Sequence, residues 1–165
     1  MPNLYTKSKT VIPDTSPLLL ILMGLYDKEC ITNFKRLSNK NYKIEDYELL
    51  LQFIAKKKII VTPHILTEVS NFATKLKENK FSEFIDANRP VLEKIDEEYV
   101  SKTNLLNETE LIKFGFTDTS IVVAARKNNG LVLTDDFPLF GMCKKIGINA
   151  VHMNEILSTK EIFQK

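Results

Sequence analysis

The sequence predicts an α/β protein: a short parallel sheet covered by helices on both faces. Three observations carry this. Short aliphatic runs, namely Val11-Ile12, Ile59-Ile60-Val61, Leu131-Val132-Leu133-Thr134 and Ile148-Asn149-Ala150-Val151, alternate with longer segments of helical periodicity, and that alternation builds parallel sheets. Most of the runs are continuously apolar, as strands buried on both faces must be. Neither a repeat nor a Gly/Ser-rich linker divides the 165 residues, so residues 1–165 are read as one domain.

The elements follow in order. Val11-Ile12 makes a first strand, and Pro13-Asp14-Thr15-Ser16-Pro17 hands over to a helix with Ser16 as N-cap and Pro17 as its first residue. The helix takes in the apolar run Leu18–Leu25. That run follows Lys7 and Lys9 as a targeting segment would, yet its eight residues fall far short of the roughly 20 that span a bilayer. Tyr26-Asp27-Lys28-Glu29 stands where a small-residue cleavage site would be.

A second helix spans 45–56, with Tyr47, Leu50, Leu51 and Ile54 on one side. Lys56-Lys57-Lys58 leads into the strand Ile59-Ile60-Val61, and Thr62-Pro63 opens a helix running from His64 to about Leu76. Between about 80 and 110, Phe81, Phe84, Ile85, Val91, Leu92 and Ile95 recur at three- and four-residue steps among many acids, which predicts helices with a solvated acidic face. Another helix covers 118–127 and ends at Asn128-Asn129-Gly130, with Gly130 expected in the left-handed conformation. The strand 131–134, a helix over 137–145 stopped by Gly147, the strand 148–151 and a helix from Asn154 complete the chain.

Composition sets limits on function. Twenty-three Lys and Arg against 21 Asp and Glu leave a net charge of +2. This excludes a histone-like polyanion binder and leaves a local RNA-binding face open. Cys30 and Cys143 are far apart and have no His or Cys companions, which excludes a zinc ribbon and argues for a reducing, cytoplasmic compartment.

Ligands of open parallel sheets bind beyond the carboxyl ends of the strands, and there this sequence places acids. Asp14 follows the first strand, Asp135-Asp136 follow the strand 131–134, Asp118 opens a helix, and Glu68 sits on the helix launched by 59–61. Singly, each has an ordinary role. Asp14 could cap a turn, Asp118 could be an N-cap, Glu68 could be solvated or bonded to His64, and Asp135-Asp136 could form an Asx-turn. Together they would repel by about 4 kcal/mol per close pair at roughly 4 Å and an effective dielectric near 20. Bound protons or a divalent cation would offset that. An all-oxygen donor set points to Mg²⁺ or Mn²⁺ and away from zinc.

The opening Asp14-Thr15-Ser16, the segment Thr62-Pro63-His64-Ile65-Leu66-Thr67-Glu68-Val69, the segment Thr117-Asp118-Thr119-Ser120 with the apolar helix after it, and Thr134-Asp135-Asp136-Phe137 together resemble the successive acidic motifs of PIN-domain ribonucleases. The resemblance covers nearly the whole chain. It implies a PIN-like three-layer α/β/α sandwich, a Mg²⁺- or Mn²⁺-dependent site, and endoribonuclease activity. Many relatives are toxins of toxin–antitoxin pairs, so an antitoxin protein is an implied partner. Asp14, Glu68 and Asp118 match the family's acids. The fourth, in a Thr-x-Asp pattern, is Asp136, with Asp135 as its variable neighbour and a further candidate near the metal. The helices of 80–110 and the N-terminus exceed the compact toxins.

The expected chemistry is metal-assisted phosphodiester hydrolysis by in-line attack of water. Asp14, Asp118 and Asp136 would be the metal ligands, Glu68 would act through water or a second ion, and Thr15 and Thr134 would support them. RNA would be gripped by its phosphates. Lys35-Arg36, the cluster Lys56, Lys57 and Lys58, and Arg126 with Lys127 are the candidate contacts, each otherwise a solvated face. His64 is expected to bond Glu68, and His152 to be structural. Apolar residues such as Leu25, Tyr26 and Phe34 offer a homodimer surface or core packing. Two rival readings stand beside this one. A haloacid-dehalogenase-like phosphatase needs an acid where Ser16 stands, and a catalytically inactive PIN-like protein- or RNA-binding module would have no need of all four acids.

Overall fold

A computed structural model describes residues 8–77 and 80–159. Lys7, and any extension of the last helix past 159, lie outside them. Five strands form one sheet: β1 (Thr10–Pro13), β2 (Lys58–Val61), β3 (Asp96–Glu97), β4 (Leu131–Thr134) and β5 (Ala150–His152). All neighbours pair in parallel, in the order β3-β2-β1-β4-β5. Among the described residues there are ten helices: α1 (Thr15–Tyr26), α2 (Cys30–Asn33), α3 (Lys35–Ser38), α4 (Ile44–Ile54), α5 (Pro63–Ala73), α6 (Lys80–Leu92), α7 (Lys102–Leu106), α8 (Leu111–Asn128), α9 (Phe137–Lys145) and α10 (Met153–Leu157).

Helical crossovers carry the chain outward from β1 to β2 and β3 and back to β4 and β5. Helices α1 and α8 both pack on β1 and β4, α1 in company with α4, α5 and α6, and α8 with α9. The result is the three-layer α/β/α sandwich that the sequence resemblance implies. Ten of the twelve residues of α1 are buried, which makes it the central helix of its layer. The apolar run is therefore core. Among the described residues no helix is long and apolar enough to cross a membrane.

The structure corrects several boundaries. Asp14, not Ser16, caps α1: its carboxylate accepts the Thr15 N–H at 2.5 Å, and the helix begins one residue later. The segment after α6 contains a strand that hydrophobic patterning does not reveal. β3 is two exposed acidic residues paired to β2 through the backbone, with one ion pair, Lys58 to Asp96, beside it. Helix α8 starts at Leu111 and turns at Gly115, whose φ of 77° suits glycine. Asn129, with φ 46°, supplies the left-handed cap expected of Gly130. At Gly130 a Cβ would meet the Ile12 δ-carbon, so a larger residue there would have to displace that side-chain end. The last strand lies at 150–152, two residues later than predicted. Gly147, φ 76°, stands just past α9 as expected.

Candidate active site

β1 and β4 are adjacent, yet the chain leaves β1 toward β2 on the other side. A crevice therefore opens at their carboxyl ends, where the strand order reverses. Asp14 lies at the end of β1, its N–H still bonded to Leu133 of β4 at 2.8 Å. Asp135 and Asp136 follow β4, Glu68 lies on α5 and Asp118 on α8.

Threonines tie these acids into one frame. Thr134 Oγ1 donates to Asp14 Oδ2 at 2.7 Å and accepts the Asp136 N–H at 2.9 Å. Thr15 gives its N–H to Asp14 and its hydroxyl to Glu68 Oε2 at 2.9 Å. Thr117, next to Asp118, donates to Glu68 Oε1 at 2.6 Å. Glu68 is thus held at both oxygens by hydroxyls, and His64, expected as its partner, is not bonded to it. His64 instead stacks on Phe116 with centroids 6.4 Å apart. Asp136 also caps α9, accepting the Leu139 N–H at 2.8 Å.

Asp118 is the exception. No hydrogen-bond donor among the described residues reaches its carboxylate. Burial, followed by the charges of Asp14, Asp136 and Glu68, pushes its carboxyl up to about 7. Burial likewise raises Asp14 to about 6, against the opposing hydrogen bonds from Thr134 and Thr15 and with the charges of Asp135 and Asp136 adding to the rise. Asp118 thus feels the charge of Asp14, Asp136 and Glu68, and Asp14 that of Asp135 and Asp136. Among the described residues, no three His, Cys, Asp or Glu side chains stand close enough to enclose an ion as they are placed. The cleft is an open one. Its donors are nonetheless hard oxygens carrying more negative charge than their surroundings compensate, which fits Mg²⁺ or Mn²⁺. To hold such an ion, Asp14, Asp118 and Asp136 would have to draw closer than they stand here.

Asp135 is engaged elsewhere. Its Oδ2 accepts Lys40 Nζ at 2.5 Å and the Tyr42 hydroxyl at 2.7 Å. Sequence reasoning overlooked both partners. Of the basic residues proposed as an RNA rim, Lys56, Lys57 and Lys58 stand at the amino end of β2, the opposite edge of the sheet from the acids. Lys58 pairs with Asp96 at 3.2 Å. Arg126 is bound by Glu108 at 2.9 Å and Lys127 by Glu98 at 2.6 Å. Both cysteines are free. Cys143 is buried beneath the site, and burial with the charges of Asp118 and Asp14 pushes its thiol up to about 12. His152 caps α10, accepting the Asn154 N–H at 3.1 Å.

The chain is similar to a PilT N-terminus domain protein from the archaeon Sulfolobus solfataricus P2, at 17% identity and a TM-score of 0.48, over 91% of this chain and 92% of that one. It is also similar to a domain of a functionally unknown protein from Methanocaldococcus jannaschii, at 20% identity and a TM-score of 0.41, over 88% and 91%. No family model and no curated protein matches it.

Proposed function

We propose that this chain is a PIN-like endoribonuclease that hydrolyses RNA phosphodiester bonds with the help of Mg²⁺ or Mn²⁺. The observation that carries the proposal is Asp118: a half-buried carboxylate that no donor among the described residues reaches, raised by burial and by the charges of Asp14, Asp136 and Glu68. Folding would not normally gather like charges in a cleft unless something positive completes it. When bound, a hard divalent ion supplies Lewis acidity toward water and phosphate. The residues of the chain do the rest. Asp14, Asp118 and Asp136 offer ligand oxygens from three elements. Glu68, fixed by Thr15 and Thr117, is set to orient water and accept its proton. No protein nucleophile is required.

Calorimetric titration with Mn²⁺ and cleavage of a 5′-labelled RNA test this together. Wild type should bind the ion and leave products with 5′-phosphate and 3′-hydroxyl ends, whereas Asp14→Asn and Asp118→Asn should lose both properties. Equal cleavage by these variants would refute the assignment, and absence of Mn²⁺ binding by wild type would favour an inactive binding module. A role as a toxin would appear as growth arrest on expression in bacteria that Asp118→Asn relieves.

A further inference from the structure

A cavity of roughly 730 Å³ opens between the α2–α3 segment and the end of α5. Its described lining brings five cations, Lys35, Arg36, Lys75, Lys77 and Lys80, around the apolar surfaces of Phe34, Phe72 and Leu76, and includes no carboxylate. We infer that this cavity binds the backbone and an unpaired base of single-stranded RNA running to the acidic cleft. The inference rests on the ribonuclease reading for its choice of ligand.

Charge is the first argument. Arg126, Lys127 and Lys58 each have a carboxylate partner, whereas among the described residues none of the five cavity cations takes part in an ion pair. No described carboxylate is thus spent on this charge, and a polyanion could use it. The second argument is preorganisation. The Arg36 guanidinium lies 4.5 Å from the centroid of the Phe72 ring, and Lys75 Nζ lies 5.2 Å from it. A guanidinium stacked on an aromatic face keeps its N–H edge free for a phosphate. The apolar floor beside it suits a base unstacked from its neighbours, which a duplex cannot supply.

The third argument is position. Phe72 lies four residues after Glu68 on α5, hence on the same side of the helix and about 6 Å along its axis. Asn39 lines the cavity, and its neighbour Lys40 holds Asp135. Two separate stretches of chain therefore connect the basic cavity to the acids.

The test is fluorescence anisotropy of a labelled 12-nucleotide oligouridine with the full chain in EDTA, where no metal-dependent step operates. Arg36→Gln/Lys75→Gln, both at exposed positions, should weaken binding at least tenfold and lower the slope of log affinity against log salt by about 1.4, or about 0.7 per phosphate contact. Phe72→Leu, which keeps the apolar volume but removes the ring, should weaken binding severalfold, with circular dichroism reporting on folding. A blunt RNA hairpin should bind at least tenfold more weakly than the single strand. The inference is overturned if the double variant binds oligouridine like wild type, if hairpin or polyglutamate binds as well as the single strand, or if wild type binds no RNA. Loss of Mn²⁺-dependent cleavage with this binding intact would instead count against the catalytic reading alone.

Discussion

Thr117 donates its hydroxyl to Glu68 Oε1 at 2.6 Å, joining α8 to α5 across 49 residues of sequence. With Thr15 on the other oxygen at 2.9 Å, Glu68 has little freedom to turn. A hydrogen bond to a charged group contributes about 1.5–3 kcal/mol, equivalent to roughly 10- to 100-fold in a rate that depends on it. Thr117→Val should therefore lower Mn²⁺-dependent RNA cleavage by at least about tenfold with little change in KM, while Thr117→Ser keeps most of the activity. Single-turnover rates of the two variants check this. If Val and Ser behave alike, the hydroxyl is not what positions Glu68.

The raised acids give the metal-free protein a particular dependence on pH. Burial and its acidic neighbours lift Asp118 from 3.8 to about 7, so between those values the native state keeps a proton that the unfolded chain releases. Stability contributed by that proton is complete below 3.8 and is lost as pH rises toward 7, opposite to the usual carboxylate. Asp14 acts in the same sense up to about 6. In EDTA, Asp118→Asn should stabilise the fold by on the order of 1–3 kcal/mol at pH 8 and hardly at pH 4. Mn²⁺ at pH 8 should raise the Tm of wild type and not of the variant. Thermal melts at both pH values decide it, and a wild type more stable in EDTA at pH 8 than at pH 5 would contradict the crowding of charge.

Lys40 and Tyr42 complete a polar cluster on Asp135, whose side chain is only 8% exposed. Removing the amine leaves a nearly buried carboxylate with one neutral donor and an unscreened charge beside Asp14. Breaking a buried ion pair costs about 3–5 kcal/mol, and the 30% exposure of Lys40 places this one toward the lower end. Lys40→Met should therefore lose about 2–3 kcal/mol in urea unfolding at pH 7, and Lys40→Met/Asp135→Asn should recover most of it. An additive double variant would show that the two groups do not depend on each other.

What could be read from sequence divides along physical lines. The buried strands and α1, α5 and α8 announce themselves because burial on both faces or along one stripe demands a local apolar pattern. Strand ends locate Asp14, Asp135 and Asp136, whereas Glu68 and Asp118 lie within helices and were singled out by their motifs. β3 was not legible, because Asp96 and Glu97 are two exposed acids that carry no apolar pattern. The Lys40–Asp135 pair spans 95 residues, and nothing local encodes it. Lys56, Lys57 and Lys58 looked like a phosphate rim by charge alone, although their place before a parallel strand already put them at the edge away from the site. Ser16 lost the cap to Asp14 because the residue directly after β1 is the one whose carboxylate reaches the first free N–H of α1.

Gly24 tests how tightly the central helix is held. A Cβ built there would lie 2.5 to 2.8 Å from three carbons of the Tyr47 ring, closer than such atoms approach. Tyr47 is itself only 3% exposed, on α4, which packs against α1. Replacing Gly by Ala inside a helix ordinarily gains about 1 kcal/mol. Overpacking costs about 1–3 kcal/mol, and with the ring enclosed the steric effect should win. Gly24→Ala is therefore expected to lower stability by about 1–2 kcal/mol. Gly24→Ala/Tyr47→Leu, which removes the clashing carbons, should be less destabilised than the two single changes together. Urea titrations of the four proteins measure the coupling. A more stable Gly24→Ala single variant would mean that the ring moves aside freely and that α1 and α4 are not locked by this contact.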